Sequence, residues 1–465
     1  MNTMDKFMDE LRAREFSRLD AGGHVYLDYT GGGLYAESQI RAHAETLSRE
    51  VFGNPHSRNP TSQASTRKVD ATRERVHRFF DADPDEYEVV FTLNASGALK
   101  LVGEGYPFEP GSRFILTADN HNSVNGIREF ARARGASVEY LPLNSELRIT
   151  DVEDYLAGAD RSKANLFAYP AQSNFSGVKH PMEWIEVARG LGYDVLLDAA
   201  AFVPTSPLSL REVRPDFLSI SFYKMFGYPT GVGTLIALRS ALRELRRPWF
   251  SGGTVKFASA QNKVHLLEDT GEAFEDGTLN YLSIPEVSSG LDFLDRVGLP
   301  RIHEHVMGLT GTLLQELQQL EHSNGAPMVK IYGPHTLEGR GGTVALNVLD
   351  PRGNVVDCEL VQQRANSQNI SIRTGFFCNP GAVEYSFEYA QAEAYQCFET
   401  LDPHSFTLQQ FSACLNDKPV GAVRVSVGLA SNQADVRRFI EFLEAFRDLA
   451  PQEGGPRRVP DMVGG

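Results

Sequence analysis

Cysteine is sparse in this chain. Cys358, Cys378, Cys397 and Cys414 are the four among 465 residues, and no two of them form a C-x-x-C pair. That spacing argues against a zinc ribbon or a dithiol redox motif, and no metal site is expected. An even count permits disulfides, but a large cytosolic chain has no need of them, so three of the four are expected to be buried or incidental. Long apolar runs are missing too. Nothing approaches the roughly 18 residues that cross a bilayer, and Met1 to Glu10 is charged where a signal peptide would be apolar. The expectation is a cytoplasmic protein that does not engage the membrane. Positive charge is also short: 45 Lys and Arg against 60 Asp and Glu leave a net charge of -15, which a phosphate backbone would repel. The clearest basic cluster, Arg239, Arg243, Arg246 and Arg247, reads as one face of a surface helix rather than a nucleic-acid groove.

What is present is the composition of a globular enzyme, 42% hydrophobic and 23% charged, in a chain long enough for two or three domains. Apolar spacing predicts a helix over 5–20, then a short strand, Val25-Tyr-Leu-Asp28, that ends in the turn Thr30-Gly-Gly-Gly33. From residue 88 strands alternate with helices. Strands are expected at 88–92, 113–117, 137–141, 166–169, 195–197, 217–221 and 234–238, with helices from Ser96 and over 123–134. This alternation predicts an α/β fold with a mainly parallel seven-stranded sheet covered on both faces. After about residue 290 the pattern changes to a smaller α+β domain: helices at 301–320, 353–366 and 434–449, strands at 329–332, 343–347, 370–373 and 422–427. The expected organisation is an N-terminal segment (1–30) packing on the small domain, a large domain (31–290), the small domain (291–450) and a frayed tail (451–465).

Ligands of such sheets bind beyond the carboxyl ends of the strands. The polar residues of this sequence fall there. Phe217–Ser221 runs directly into Tyr223 and Lys224 and then into a turn containing Gly227, Pro229, Gly231 and Gly233. Asp198 closes a preceding strand. A lysine and an acid at neighbouring strand ends suit pyridoxal phosphate (PLP): the amine binds the cofactor covalently and the carboxylate keeps the pyridine nitrogen protonated. The turn Leu93-Asn-Ala-Ser-Gly-Ala98 could cradle a phosphate on free N–H groups, or be an ordinary helix cap at Asn94 or Ser96. His121 and Asn174 stand in two further strand-end loops. Each, alone, could be a solvated loop residue.

In combination and order, these residues resemble class V aminotransferases of PLP fold type I, within them the cysteine desulfurase branch. The segments Gly53-Asn-Pro-His-Ser57, Asp119 to Val124, Asn174-Phe-Ser-Gly177, Ser221 to Gly231 and Arg373-Thr-Gly-Phe-Phe-Cys-Asn-Pro-Gly-Ala382 are similar to the N-terminal domain of molybdenum cofactor sulfurases. The resemblance implies that Ala95, Ser96, Ser221 and Tyr223 bind the cofactor phosphate, His121 stacks on the ring, Asn174 bonds the ring hydroxyl, Asp198 the ring nitrogen, and Lys224 anchors the cofactor. It implies that Thr278 reaches a partner subunit's phosphate, and hence a homodimer with shared sites. Arg424 would hold the substrate carboxylate, with His56 and Arg373 also at the substrate. Cys378, before Asn-Pro-Gly, would carry a persulfide.

Two departures stand out. Ala201 occupies a position where many desulfurases have Gln or His, and Thr30-Gly-Gly-Gly33 replaces an alanine-rich turn. Members from higher organisms continue into a second, molybdenum-cofactor-binding domain for which 465 residues leave no room, so the resemblance is expected to carry sulfur mobilisation more than the identity of the acceptor. The leading expectation is a PLP-dependent desulfurase that moves sulfur from L-cysteine through Cys378 and releases L-alanine. The acceptor is open between a partner's molybdenum cofactor, a carrier protein and a small metabolite. The alternatives are a PLP-dependent C–S lyase or aminotransferase in which Cys378 is structural, and a sulfur-relay or scaffold protein that binds PLP but turns over poorly.

Overall fold

The computed structural model describes residues 3–449 apart from 56, 270, 403, 406, 416 and 417. The expected tail at 451–465 and His56 therefore lie outside the described residues. Seven strands form the main sheet: β1 (Tyr87–Thr92), β2 (Arg113–Thr117), β3 (Ser137–Leu141), β4 (Leu166–Pro170), β5 (Asp194–Asp198), β6 (Phe217–Ser221) and β7 (Gly233–Leu238). Their spatial order is β1-β7-β6-β5-β4-β2-β3. β7 runs antiparallel to both of its neighbours, and every other pairing is parallel. The interior strands are almost wholly buried and mostly apolar, whereas the edge strand β3 alternates exposed and part-buried residues before it ends at buried Leu141.

Register explains where the site forms. Thr92 pairs with Gly233, Gly233 with Ser221, Ser219 with Asp198, and Asp198 with Pro170. The ends of β1, β4, β5 and β6 and the start of β7 therefore share one edge of the sheet. Every loop that carries a candidate residue between 93 and 224 opens there.

A second, wholly antiparallel sheet contains β8 (Val329–Tyr332), β9 (Thr343–Val348), β10 (Arg373–Gly375) and β11 (Ala422–Ser426), in the order β8-β9-β11-β10. The long helix Leu299–Gln319 packs with Gln433–Glu444. The N-terminal segment joins this part of the molecule. Val25–Tyr26 pairs in parallel with Ile370–Ser371, and Arg12, almost fully buried, is clasped by Asp20 and Asp435.

Several sequence expectations are corrected. The helix expected at 5–20 is two, Thr3–Glu15 and Arg18–Ala21. That at 123–134 breaks at Gly126, and that at 353–366 starts only at Cys358, where Asp357 Oδ1 accepts the Glu359 N–H at 3.0 Å. Strand 370–373 divides because Ile370–Ser371 faces the N-terminal segment while Arg373 turns to β11. The basic cluster is not one helical face: the helix Arg239–Glu244 stops before Arg246, and Arg239 and Arg247 pair with Glu88 and Asp276.

The cysteine expectation is also corrected, since Cys397 and Cys414 form a disulfide. Their helices, Gln391–Thr400 and Leu408–Cys414, share a small apolar cluster of Ala394, Cys397, Phe411 and Leu415, separate from the main core. A cluster of that size orders few residues by burial alone, and a covalent clip compensates. Cys358 is a free thiol pushed up to about 12 by burial.

Candidate active site

The site begins at the turn after β1. Asn94 caps the helix Ala95–Gly105, its Oδ1 accepting the Gly97 N–H at 3.0 Å. The Ala95 N–H donates to Ser221 Oγ at 2.8 Å, and the hydroxyls of Ser96 and Ser123 meet at 2.6 Å. Gly233 permits this approach, because a Cβ there would lie 2.5 Å from the Asn94 backbone. A helix start flanked by the Ser96, Ser123 and Ser221 hydroxyls is chemically suited to an anion.

Lys224 lies in the short helix Phe222–Phe226, directly after β6. The N-terminal glycine turn packs against it: the Gly33 N–H donates to Tyr223 O at 3.0 Å, and a Cβ at residue 33 would lie 2.8 Å from Lys224 O. Burial lowers the Lys224 pKa, the Asp198 carboxylate pulls it partly back, and the Arg424 cation lowers it again. A lysine so placed yields its neutral, nucleophilic form more readily than a surface lysine.

Asp198 ends β5. Its Oδ1 accepts Ser219 Oγ–H at 3.0 Å and the Ala200 N–H at 3.1 Å, which holds the carboxylate at one angle. His121 caps the helix Asn122–Asn125 by accepting the Ser123 N–H on Nδ1 at 3.1 Å. A backbone N–H can only donate, so the ring proton sits on Nε2. Burial, then the Lys224 charge, lowers the His121 pKa and favours the neutral ring. Ala95, Ser96, His121, Asn174, Asp198, Ser221, Tyr223 and Lys224 all line one cavity, as do Ala200 and Ala201.

Of the other expected residues, Cys378, Arg373, Arg424 and Thr278 are not part of this lining. The Asn174 amide is engaged: Nδ2 donates to Phe377 O at 2.7 Å, and Oδ1 accepts from Asn379 Nδ2 at 2.9 Å. Cys378 is exposed, in the connection between β10 and the helix Pro380–Ser386. That connection is short and fastened. The Asn122 N–H donates to Cys378 O at 2.7 Å, Asn379 Nδ2 also reaches Asp119 O at 2.7 Å, and Phe377 and Cys378 both hold a φ of +54°. Arg424 is buried, its Nη1 donating to Asn174 O at 3.0 Å and its guanidinium 4.8 Å from the Phe377 ring centre. Thr278 does not line this cavity. Its hydroxyl accepts from Asn54 Nδ2 at 3.1 Å.

Sequence reasoning missed three participants. Ser123 joins Ser96, Asn379 ties the Cys378 connection to Asn174, and Asp28 pairs with both Arg373 and Arg424. Asp28 and Asn379 stood inside quoted motifs, but nothing local marked their partners, which lie 345 and 205 residues away.

The profile of the class-V aminotransferase family matches residues 25–439 of this chain. The chain belongs to that family. Molybdenum cofactor sulfurase of Bos taurus is 38% identical over 97% of this chain and 53% of its own length, and that of Homo sapiens is 36% identical over 93% and 51%. The chain thus spans about half the length of these relatives. Among solved structures, a cysteine desulfurase from Thermococcus onnurineus superposes with a TM-score of 0.77 at 24% identity, covering 94% of this chain and 97% of its own. The fold is that of PLP fold type I: a mainly parallel seven-stranded sheet with a smaller α+β portion.

Proposed function

We propose that this cavity holds PLP and that the enzyme removes sulfur from L-cysteine, passes it through Cys378 to an acceptor and releases L-alanine. The observation that carries this reading is the Asn174 amide, which lines the Lys224 cavity and is hydrogen-bonded on both sides to the connection bearing an exposed Cys378. Once bound, PLP supplies an electron sink that weakens the bonds around the substrate's α-carbon. The protein's residues do the rest. The Ala95 turn, Ser96 and Ser221 would receive the phosphate, Asp198 would pair with the ring nitrogen, and neutral His121 would lie against the ring. Lys224 would anchor the cofactor and, as a free amine, would move protons at the substrate's α-carbon. Arg424 takes the substrate carboxylate. The Cys378 thiolate forms a bond to the substrate sulfur as the C–S bond breaks, and that bond's electron pair stays with the carbon that is protonated to alanine's methyl group.

We further propose that two copies share their sites. Thr278 lies away from its own chain's cavity, and exposed apolar residues surround the region: Leu93 beside the phosphate turn, with Trp249, Phe250, Phe257 and Leu266 near the Thr278 segment or on the hairpin 255–267. Size-exclusion with light scattering tests this, and a monomer at micromolar concentration would refute it.

The decisive assay incubates the PLP-loaded protein with L-cysteine and measures alanine and enzyme-bound persulfide. Cys378→Ala is expected to lose persulfide and most alanine formation. Alanine and sulfide release unchanged in that variant would remove Cys378 as the nucleophile, and pyruvate in place of alanine would point to C–S lyase chemistry.

A further inference from the structure

Arg373 and Arg424 stand directly opposite each other on the antiparallel strands β10 and β11. Like charges in facing positions of a sheet repel. One carboxylate resolves the conflict: Asp28 Oδ2 accepts from Arg373 Nε at 3.0 Å, and Asp28 Oδ1 accepts from Arg424 Nη2 at 2.8 Å. Its position is set by the backbone. Asp28 bridges to Ser426, the Gly31 and Gly32 N–H groups both donate to Asp28 O, and Tyr26 Oη–H donates to the same oxygen at 3.2 Å. The glycine turn fits this arrangement, because a Cβ at Gly31 would lie 2.5 Å from Asp28 Oδ2 and 2.7 Å from Oδ1.

The charges then decide what the site admits. Two guanidiniums and one carboxylate leave a single net positive charge beside the Lys224 cavity. Arg424 keeps unused donor capacity, since its buried Nε has no hydrogen-bond partner among the described residues. Arg373, whose side chain is 51% exposed, is the second cation that could reach a further carboxylate, and Asp28 already occupies it.

We propose that Asp28 is a specificity-determining residue that restricts the amino-acid site to monocarboxylic substrates by holding Arg373 and neutralising half of the arginine pair. This rests on the proposed reading of the cavity as a PLP-dependent amino-acid site. With Asp28 removed, the pair gains one positive charge and a free guanidinium. A dicarboxylic amino acid then finds an anchor for each carboxylate.

The test titrates PLP-loaded wild type and Asp28→Asn with L-alanine and with L-aspartate, following the change in visible absorbance and, independently, the shift in melting temperature. Wild type is expected to bind L-alanine and to bind L-aspartate poorly. Asp28→Asn is expected to improve L-aspartate relative to L-alanine by roughly tenfold or more, the scale of one charge-assisted hydrogen bond. Adding Arg373→Gln to Asp28→Asn should erase that gain. If Asp28→Asn does not fold, Gly31→Ala displaces the same carboxylate and should produce the same change in preference. Equal weakening of both amino acids would make Asp28 a structural brace and overturn the proposal. A wild type that responds to neither L-alanine nor L-cysteine would overturn the PLP reading itself, an outcome distinct from a responsive enzyme whose preference does not move.

Discussion

The side-chain amides of Asn174 and Asn379 meet at 2.9 Å, one from the loop after β4 and the other from the connection that carries Cys378. Through this contact the wall of the Lys224 cavity is hydrogen-bonded to the connection that carries Cys378. Asn379 is fully buried and makes two further bonds, to Asp119 O and from the Ala382 N–H.

Asn379→Ala is therefore expected to cost roughly 2–3 kcal/mol of stability, the loss of several buried hydrogen bonds, and to slow persulfide formation more than cofactor binding. Chemical denaturation and a single-turnover persulfide assay check both halves. Unchanged persulfide formation would separate the connection from the chemistry.

The thiols should differ in reactivity. Cys378 is exposed, whereas the Cys358 thiol is pushed up to about 12 and Cys397 and Cys414 are joined. Brief iodoacetamide treatment of the native protein near neutral pH is expected to modify Cys378 alone, with Cys358 reacting only after unfolding and Cys397 and Cys414 only after reduction as well. Peptide mass spectrometry reads the result.

Lys224→Ala should abolish the yellow colour that PLP attached to a lysine gives an enzyme, while the hydrogen bonds that hold Ala95, Ser96 and Ser221 stay intact. Absorbance spectra before and after PLP addition test this. A coloured wild type whose spectrum survives the substitution would move the anchor elsewhere.

Asp216, just before β6, offers a pH-dependent stability test at the opposite end of the sheet from the Lys224 cavity. Burial, reinforced by nearby Asp194, raises its pKa from 3.8 to about 6. The folded state holds this proton more tightly than the unfolded chain, so the contribution is favourable below about pH 4 and is lost as pH rises through about 6. Asp216→Asn keeps an acceptor for the Val195 N–H, which now donates at 2.8 Å. It is expected to be about 1–3 kcal/mol more stable than wild type near pH 8 and little different near pH 4. Urea melts at the two pH values decide it.

The alternation of strands and helices from residue 88 was legible because buried parallel strands need mostly apolar runs, and the polar residues at or just past their ends, Asp198 and Lys224, interrupt those runs visibly. Helix breaks at Phe16 and Gly126 were not legible, since apolar spacing continues across them and packing partners decide where the chain turns. The Cys397–Cys414 bridge depends on two helices folding onto each other, which spacing alone does not reveal.

By itself, then, the sequence determined the layered α/β architecture and the set of groups at the sheet's edge, because periodicity and strand-end polarity are local properties of the chain. Only the tertiary structure decided how those groups are held. The Asn174–Asn379 contact, the fastened Cys378 connection and the Asp28 bridge between Arg373 and Arg424 each join segments hundreds of residues apart. Charge and hydrogen-bond pairing of that kind follow from proximity in space, which no local pattern encodes.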